Sequence, residues 1–95
     1  MYDVIIIGGG IGGLMCAYRL NEICPNKRVL LLEQGKPLKK RSCPIIAGKT
    51  DRCIQCESCS IMKGMAGAGA FSDGKLTCAI RSPYIRTILE TFTAH

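Results

Sequence analysis

The sequence predicts an α/β fold built on one βαβ unit, incomplete as a sheet, and continued by a long Gly/Cys-rich loop and a C-terminal helix. Three observations carry this expectation. Two apolar runs of strand length, Val4-Ile5-Ile6-Ile7 and Val29-Leu30-Leu31-Leu32, flank a stretch with helical spacing. A glycine cluster lies where the first run gives way to that helix. Beyond Gly35 the periodicity is lost and returns only near the C-terminus.

The first run, Val4 to Ile7, is β-branched throughout and bounded by glycine, the pattern of a strand buried on both faces of a parallel sheet. Leu14, Ala17, Leu20 and Ile23 then recur near helical spacing. Pro25 ends that helix, because its ring disfavours helical backbone at the preceding residue, and Asn26 follows as a turn residue. Val29 to Leu32 reads as the second strand, and Gln34-Gly35 breaks it. Strand, helix and strand within so short a span make a βαβ unit.

Residues 36–75 are rich in Gly, Cys, Lys and Ser. So long a loop without periodicity is uncommon in a compact domain unless it serves a function. Lys75 to Ile80 has the length of a short strand. Ser82-Pro83 resembles a helix N-cap followed by proline at the first helical position. Ile85, Ile88, Leu89 and Phe92 then form one apolar helical face. The expected organisation is one partial domain over residues 1–95. It divides into the βαβ unit (1–35), the Gly/Cys-rich loop (36–75), and a short strand with a helix (76–95).

Size and composition narrow the function classes. The chain has 95 residues, whereas a doubly wound nucleotide-binding domain takes about 100–150. No apolar run is long enough to span a membrane. The N-terminus has no basic region ahead of its apolar run, which argues against a signal peptide and makes a cytoplasmic location the expectation. The formal charge is +6, with Lys36, Lys39, Lys40, Arg41, Lys49 and Arg52 supplying much of the excess. That stretch reads as a solvated loop beside a phosphate. It lacks the interleaved aromatics of single-strand binding, so nucleic acid is not an expected partner.

Gly8-Gly9-Gly10-Ile11-Gly12-Gly13 satisfies G-x-G-x-x-G between the first strand and the helix. This context turns a weak motif into a phosphate cradle. Gly8 permits the tight turn, Gly10 lets a pyrophosphate approach the backbone, and Gly13 lets helix and strand pack closely. With Gly12 in its first turn, the helix N-terminus offers free N–H groups to the phosphates. Glu33 ends the second strand, 20 residues beyond Gly13, where a carboxylate can accept a hydrogen bond from a ribose hydroxyl and repels a 2′-phosphate. A Rossmann-type dinucleotide site follows. The fingerprint serves FAD and NAD alike, but the long loop in place of a second helix fits the simplest NAD-binding order poorly.

Seven cysteines without a secretory signal do not suggest a disulfide framework. Cys53, Cys56 and Cys59 are three residues apart, with Cys43 ten residues upstream of the first. Such a set could ligate zinc or an iron–sulfur cluster, with Cys43 or Cys78 as the fourth ligand. Lys63 stands where the bacterial ferredoxin run has its fourth cysteine. A redox pair and unligated thiols are the other readings. Cys16 and Cys24 read as structural residues, and His95, at the chain end, as no catalytic group.

The fingerprint, Arg41-Ser42-Cys43-Pro44, the three spaced cysteines and Gly67-Ala68-Gly69-Ala70-Phe71-Ser72-Asp73-Gly74-Lys75 together resemble one family. It is the uncharacterised FAD-dependent dehydrogenases, NAD(P)/FAD-dependent oxidoreductases related to the glutathione-reductase-like flavoproteins. The resemblance runs from Met1 to Lys75. It implies FAD, with Gly8, Gly10, Gly12 and Gly13 at the pyrophosphate and Glu33 at the ribose. Gly67, Ala68, Gly69, Ser72 and Asp73 would lie along the phosphates or near the flavin. It also implies that these residues are the N-terminal segment of a longer flavin-dependent oxidoreductase, inactive alone, whose substrate domain lies elsewhere in the protein. Gly9 and Ile11-Gly12 depart from the family, which more often has Ala and Pro-Ala there. Two other classes stand beside this expectation. One is a small cysteine-ligated metal or iron–sulfur electron carrier. The other is a non-catalytic NAD- or ADP-binding fragment.

Overall fold

The computed structural model describes residues 1–71 and 82–95. The expected strand over Lys75–Ile80 lies outside the described residues, as do Ser72, Asp73 and Cys78.

Strand β1 (Val4–Ile7) pairs in parallel with β2 (Val29–Leu32), with Val4 opposite Val29 and Ile7 opposite Leu32. Asp3 fastens the start of this pairing. Its carboxylate accepts the Arg28 N–H at 2.8 Å, and its own N–H donates to the Arg28 carbonyl at 2.8 Å. At the other end the Gly8 N–H donates to the Leu32 carbonyl at 2.7 Å, carrying the ladder one residue past the strand. Parallel strands need a crossover, and helix α1 (Ile11–Ile23) supplies it.

Helix α1 ends as the sequence leads one to expect. Cys24 caps it by donating its N–H to the Leu20 carbonyl at 2.8 Å. A turn over Cys24 to Lys27 follows, closed by the Lys27 N–H on the Cys24 carbonyl at 3.0 Å. Pro25 and Asn26 take its two central positions, where a fixed φ and a short polar side chain are favoured.

The expectation that β1 is buried on both faces is corrected. Ile6 is turned toward α1, but Ile5 and Ile7 on the opposite face are 58% and 87% exposed. In a sheet of two strands, one crossover helix covers one face. No hydrophobic residue is fully buried among the described residues.

The loop after Gly35 consists of turns and two 3-10 segments, Leu38–Lys40 and Gly67–Phe71. Helix α2 spans Ile85–Ala94. The expected N-cap shifts by two residues: Tyr84 takes that position, and the Ser82 hydroxyl accepts the Tyr84 N–H at 3.3 Å in the turn before it. Its C-terminal end comes near α1. Phe92 lines one hollow with Ile11, Leu14, Met15 and Tyr18, and the His95 ring meets Tyr18 edge-on at 5.5 Å.

Candidate functional site

The glycine turn is built by the strand–helix junction. Gly8 has φ +104°, in the region that L side chains avoid, and so turns the chain sharply out of β1. A Cβ on Gly13 would collide with the Gly8 carbonyl oxygen and lie 3.3 Å from Ile6 Cγ2. Glycine there is what lets α1 start against the strand end. Helix α1 has no side-chain N-cap and no acidic residue in its first turn. Its leading N–H groups therefore have no side-chain acceptor from the helix's own N-cap or first turn.

Gly10, the N-cap, has open space where a Cβ would project, and so has Gly12. Protein atoms leave the space beside these two glycines open, so an anion can come close to the backbone there. The residues present suit the pyrophosphate of a dinucleotide. Gly67 stands beside it, its Cβ direction 3.7 Å from the Gly10 Cα. The Gly67–Phe71 segment thus begins at the cradle, and Ala68 and Gly69 continue it on the exposed surface. The loop is held there by the Ala66 N–H, which donates to the Gly9 carbonyl at 2.7 Å. Ser72 and Asp73 fall outside the described residues. Gly9 is the tight member of the cluster: a Cβ would sit 2.9 Å from Met65 Sδ and 3.2 Å from Glu33 Oε2. The glycine at this position makes room for the loop and for Glu33.

Glu33 occupies the end of β2, and its carboxylate is engaged more fully than the spacing suggests. Oε2 accepts the Gly9 N–H at 2.7 Å, and Oε1 accepts those of Gly35 at 2.7 Å and Gly64 at 3.1 Å. These bonds favour the ionised form. The Gly35 N–H contributes most, then that of Gly9, and together they hold the carboxyl below the usual glutamate range despite partial desolvation. A carboxylate offers about four acceptor positions. Three are used within the chain, and one on Oε2 stays free for a hydroxyl.

Sequence reasoning missed Arg41. Within the basic run it reads as solvated, yet it is 7% exposed. Nε donates to the Ser60 carbonyl at 2.7 Å, Nη1 to Met65 at 3.0 Å, and Nη2 to Ile61 at 2.7 Å and Gly67 at 3.0 Å. The Phe71 ring centre lies 4.7 Å from Cζ. Gly64, at φ +126°, passes so close that a Cβ would fall 2.7 Å from Arg41 Cδ. An arginine at the end of a lysine pair gives no sign of this in the sequence, although Gly64, Gly67 and Phe71 mark where its partners lie.

The cysteines do not gather. Among the described residues no three Cys, His, Asp or Glu side chains come together to hold a metal ion. Cys43, Cys53, Cys56 and Cys59 are all free thiols. Cys43 lines a small hollow with Arg41 and Phe71, whereas Cys56 lines another with Lys36 and Lys63. Three-residue spacing aligns side chains only on a helix or a wrapped loop, and here Gln55, at φ +53°, bends the chain between the first two. The expectation of a zinc or iron–sulfur site on these four residues has no support in this arrangement. Cys59 is distinct chemically. The N–H groups of Met62 and then Ile61 hold its thiol below the usual range, with Arg41 and Lys63 adding to the effect.

A glycine-lined helix head, a second loop set against it and an acid at the end of the next strand thus meet at one end of the βαβ unit. Comparison with known proteins sharpens the class: residues 3–43 match the family model described as FAD binding domain. An uncharacterised protein of Acanthamoeba polyphaga mimivirus is 47% identical over 39 residues, 41% of this chain and 8% of that protein. The chloroplastic thiamine thiazole synthase of Chlamydomonas reinhardtii is 48% identical over 33 residues, 35% of this chain and 9% of that protein. The matched stretch spans less than a tenth of either relative's length. No solved structure matches the chain.

Proposed function

We propose that this chain is the FAD-binding N-terminal segment of a flavin-dependent oxidoreductase, a dehydrogenase in the complete protein. The observation that carries the reading is the open cradle at Gly10: an uncapped helix head, no Cβ to fill it, and Gly67 opposite. The match of residues 3–43 to an FAD binding domain supports it from an independent side. Gly8, Gly10, Gly12 and Gly13 would hold the pyrophosphate through backbone N–H groups and close approach. Glu33 would accept a ribose hydroxyl on its remaining acceptor position. Gly67, Ala68, Gly69, Ser72 and Asp73 would follow the phosphates toward the flavin. The bound flavin would supply the electron chemistry, and the protein the binding and orientation.

The test is a visible absorption spectrum and an FAD titration on the full chain, unaltered and with Gly10→Val. Retained or titratable flavin that is lost on the substitution is the expected result, since an isopropyl group would occupy the open space beside the Gly10 backbone. Flavin binding that survives Gly10→Val would remove the pyrophosphate from this site. Affinity for ADP-ribose without affinity for FAD would favour a non-flavin nucleotide fragment.

A further inference from the structure

We infer that Arg41 is the positioning residue of this cradle: its guanidinium fork, more than its charge, holds the loop from Ser60 to Gly67 so that Gly67 stands against Gly10. The inference rests on the cofactor reading above. It adds a residue that lies outside the glycine cluster and acts on it through the backbone of another loop.

The geometry is specific to arginine. The accepting carbonyls belong to Ser60, Ile61, Met65 and Gly67, so one planar group ties both ends of the loop together. Between these anchors Ala66 reaches the Gly9 carbonyl. The chain of contact therefore runs from guanidinium to loop carbonyls, from Ala66 to Gly9, and from Gly67 to Gly10. A lysine ammonium has its donors on a single nitrogen and cannot span four carbonyls so arranged. The stem of Arg41 is pinned as well, since Gly64 leaves no room beside Cδ. No carboxylate hydrogen-bonds the buried guanidinium among the described residues: its hydrogen-bond partners are backbone oxygens, and the face of Phe71 lies beside it. A group satisfied in this way is built to fix a backbone, not to join a surface ion pair.

The experiment uses the full chain, unaltered and as Arg41→Lys and Arg41→Gln. FAD and ADP affinities are measured by calorimetry, amide exchange at Ala66 by NMR, and secondary structure by circular dichroism. Both variants are expected to keep the βαβ signature, lose protection at Ala66, and bind FAD at least tenfold more weakly. Arg41→Lys keeps the charge, so lysine binding as tightly as arginine would overturn the inference and leave a purely electrostatic role. Ala66 protection unchanged in both variants would overturn it too. Should the variants unfold, exchange of the Arg41 Nε–H in the unaltered chain decides. Slow exchange that slows further with ADP in step with Ala66 is expected, and exchange as fast as in free arginine overturns the inference. An unaltered chain that binds neither FAD nor ADP overturns the cofactor reading and this inference with it. Binding by the unaltered chain with unchanged affinity in both variants removes Arg41 alone.

Discussion

Residues 3–33 and residues 34–71 reach order by different means. The first stretch is organised by repetition: a ladder between two strands, a helix between them, and a Pro-Asn turn. The second has no such repetition beyond two 3-10 segments. It is organised from two points, the Glu33 carboxylate gathering three N–H groups and the Arg41 guanidinium gathering four carbonyls. In the first region the backbone bonds mostly to backbone, with the Asp3 and Glu33 carboxylates each taking one N–H at the sheet ends. In the second, local backbone turns such as Ala47 on Cys43, Lys49 on Pro44 and Lys63 on Cys59 are drawn together by two side chains of opposite charge. A pattern spread over many residues tolerates single changes that leave the period intact, whereas a point anchor is removed whole by one substitution.

The comparison is tested most severely at Gly13, where the repeating region has its own single point of failure. Gly13→Val forces a branched side chain into the Gly8 carbonyl and is expected to destabilise the chain by about 3 kcal/mol, read as a lowered urea midpoint and loss of FAD affinity. A variant with an unchanged midpoint would mean that helix and strand can separate freely there.

A smaller effect is expected at Glu33. Its carboxyl is held below the ordinary range, so the folded form binds protons more weakly than the unfolded one. Its contribution is complete above the unfolded pKa and is lost as pH falls through the lower folded value. Amide protection at Gly64 should therefore persist at neutral pH and drop in acid, below the usual glutamate range, while the β1–β2 ladder outlasts it. Glu33→Gln should weaken that protection at neutral pH and flatten its acid dependence. A ladder that opens at the same pH as Gly64 would make the two regions one cooperative unit.

The smallest effect belongs to Ala66, which sits at φ +67° although it is not glycine. Ala66→Gly should relieve this conformation and stabilise the loop by about 1 kcal/mol, visible as a small rise in melting temperature. A fall instead would show that the freedom gained by the unfolded chain outweighs the strain.

The repeating region was legible because its determinants are periodic and local. Val4 to Ile7, the Leu14–Ile23 spacing, Pro25 and the Gly8–Gly13 cluster each act within a few residues, and the strands, helix and turn stand where they predict. Exposure of Ile5 and Ile7 was not legible, because a run of β-branched residues does not say how many layers cover it. In the loop, Glu33 was found from its place after β2, but not its three backbone partners. Arg41 reads as one more cation after Lys39 and Lys40, and nothing periodic announces carbonyls 19 to 26 residues away. The cysteine spacing pointed to a common centre. Spacing constrains geometry only where the backbone between the residues is regular, and between Cys53 and Cys59 it is not.

The exposed face of β1 bears on how the chain meets denaturant. The slope of stability against urea scales with the surface that unfolding uncovers. Here Ile5, Ile7 and Leu32 already meet solvent, and no hydrophobic residue among the described ones is fully buried. The apolar area left to uncover is correspondingly small, so a broad urea transition is expected, in which a midpoint shift corresponds to a smaller free energy than the same shift in a protein with a closed core.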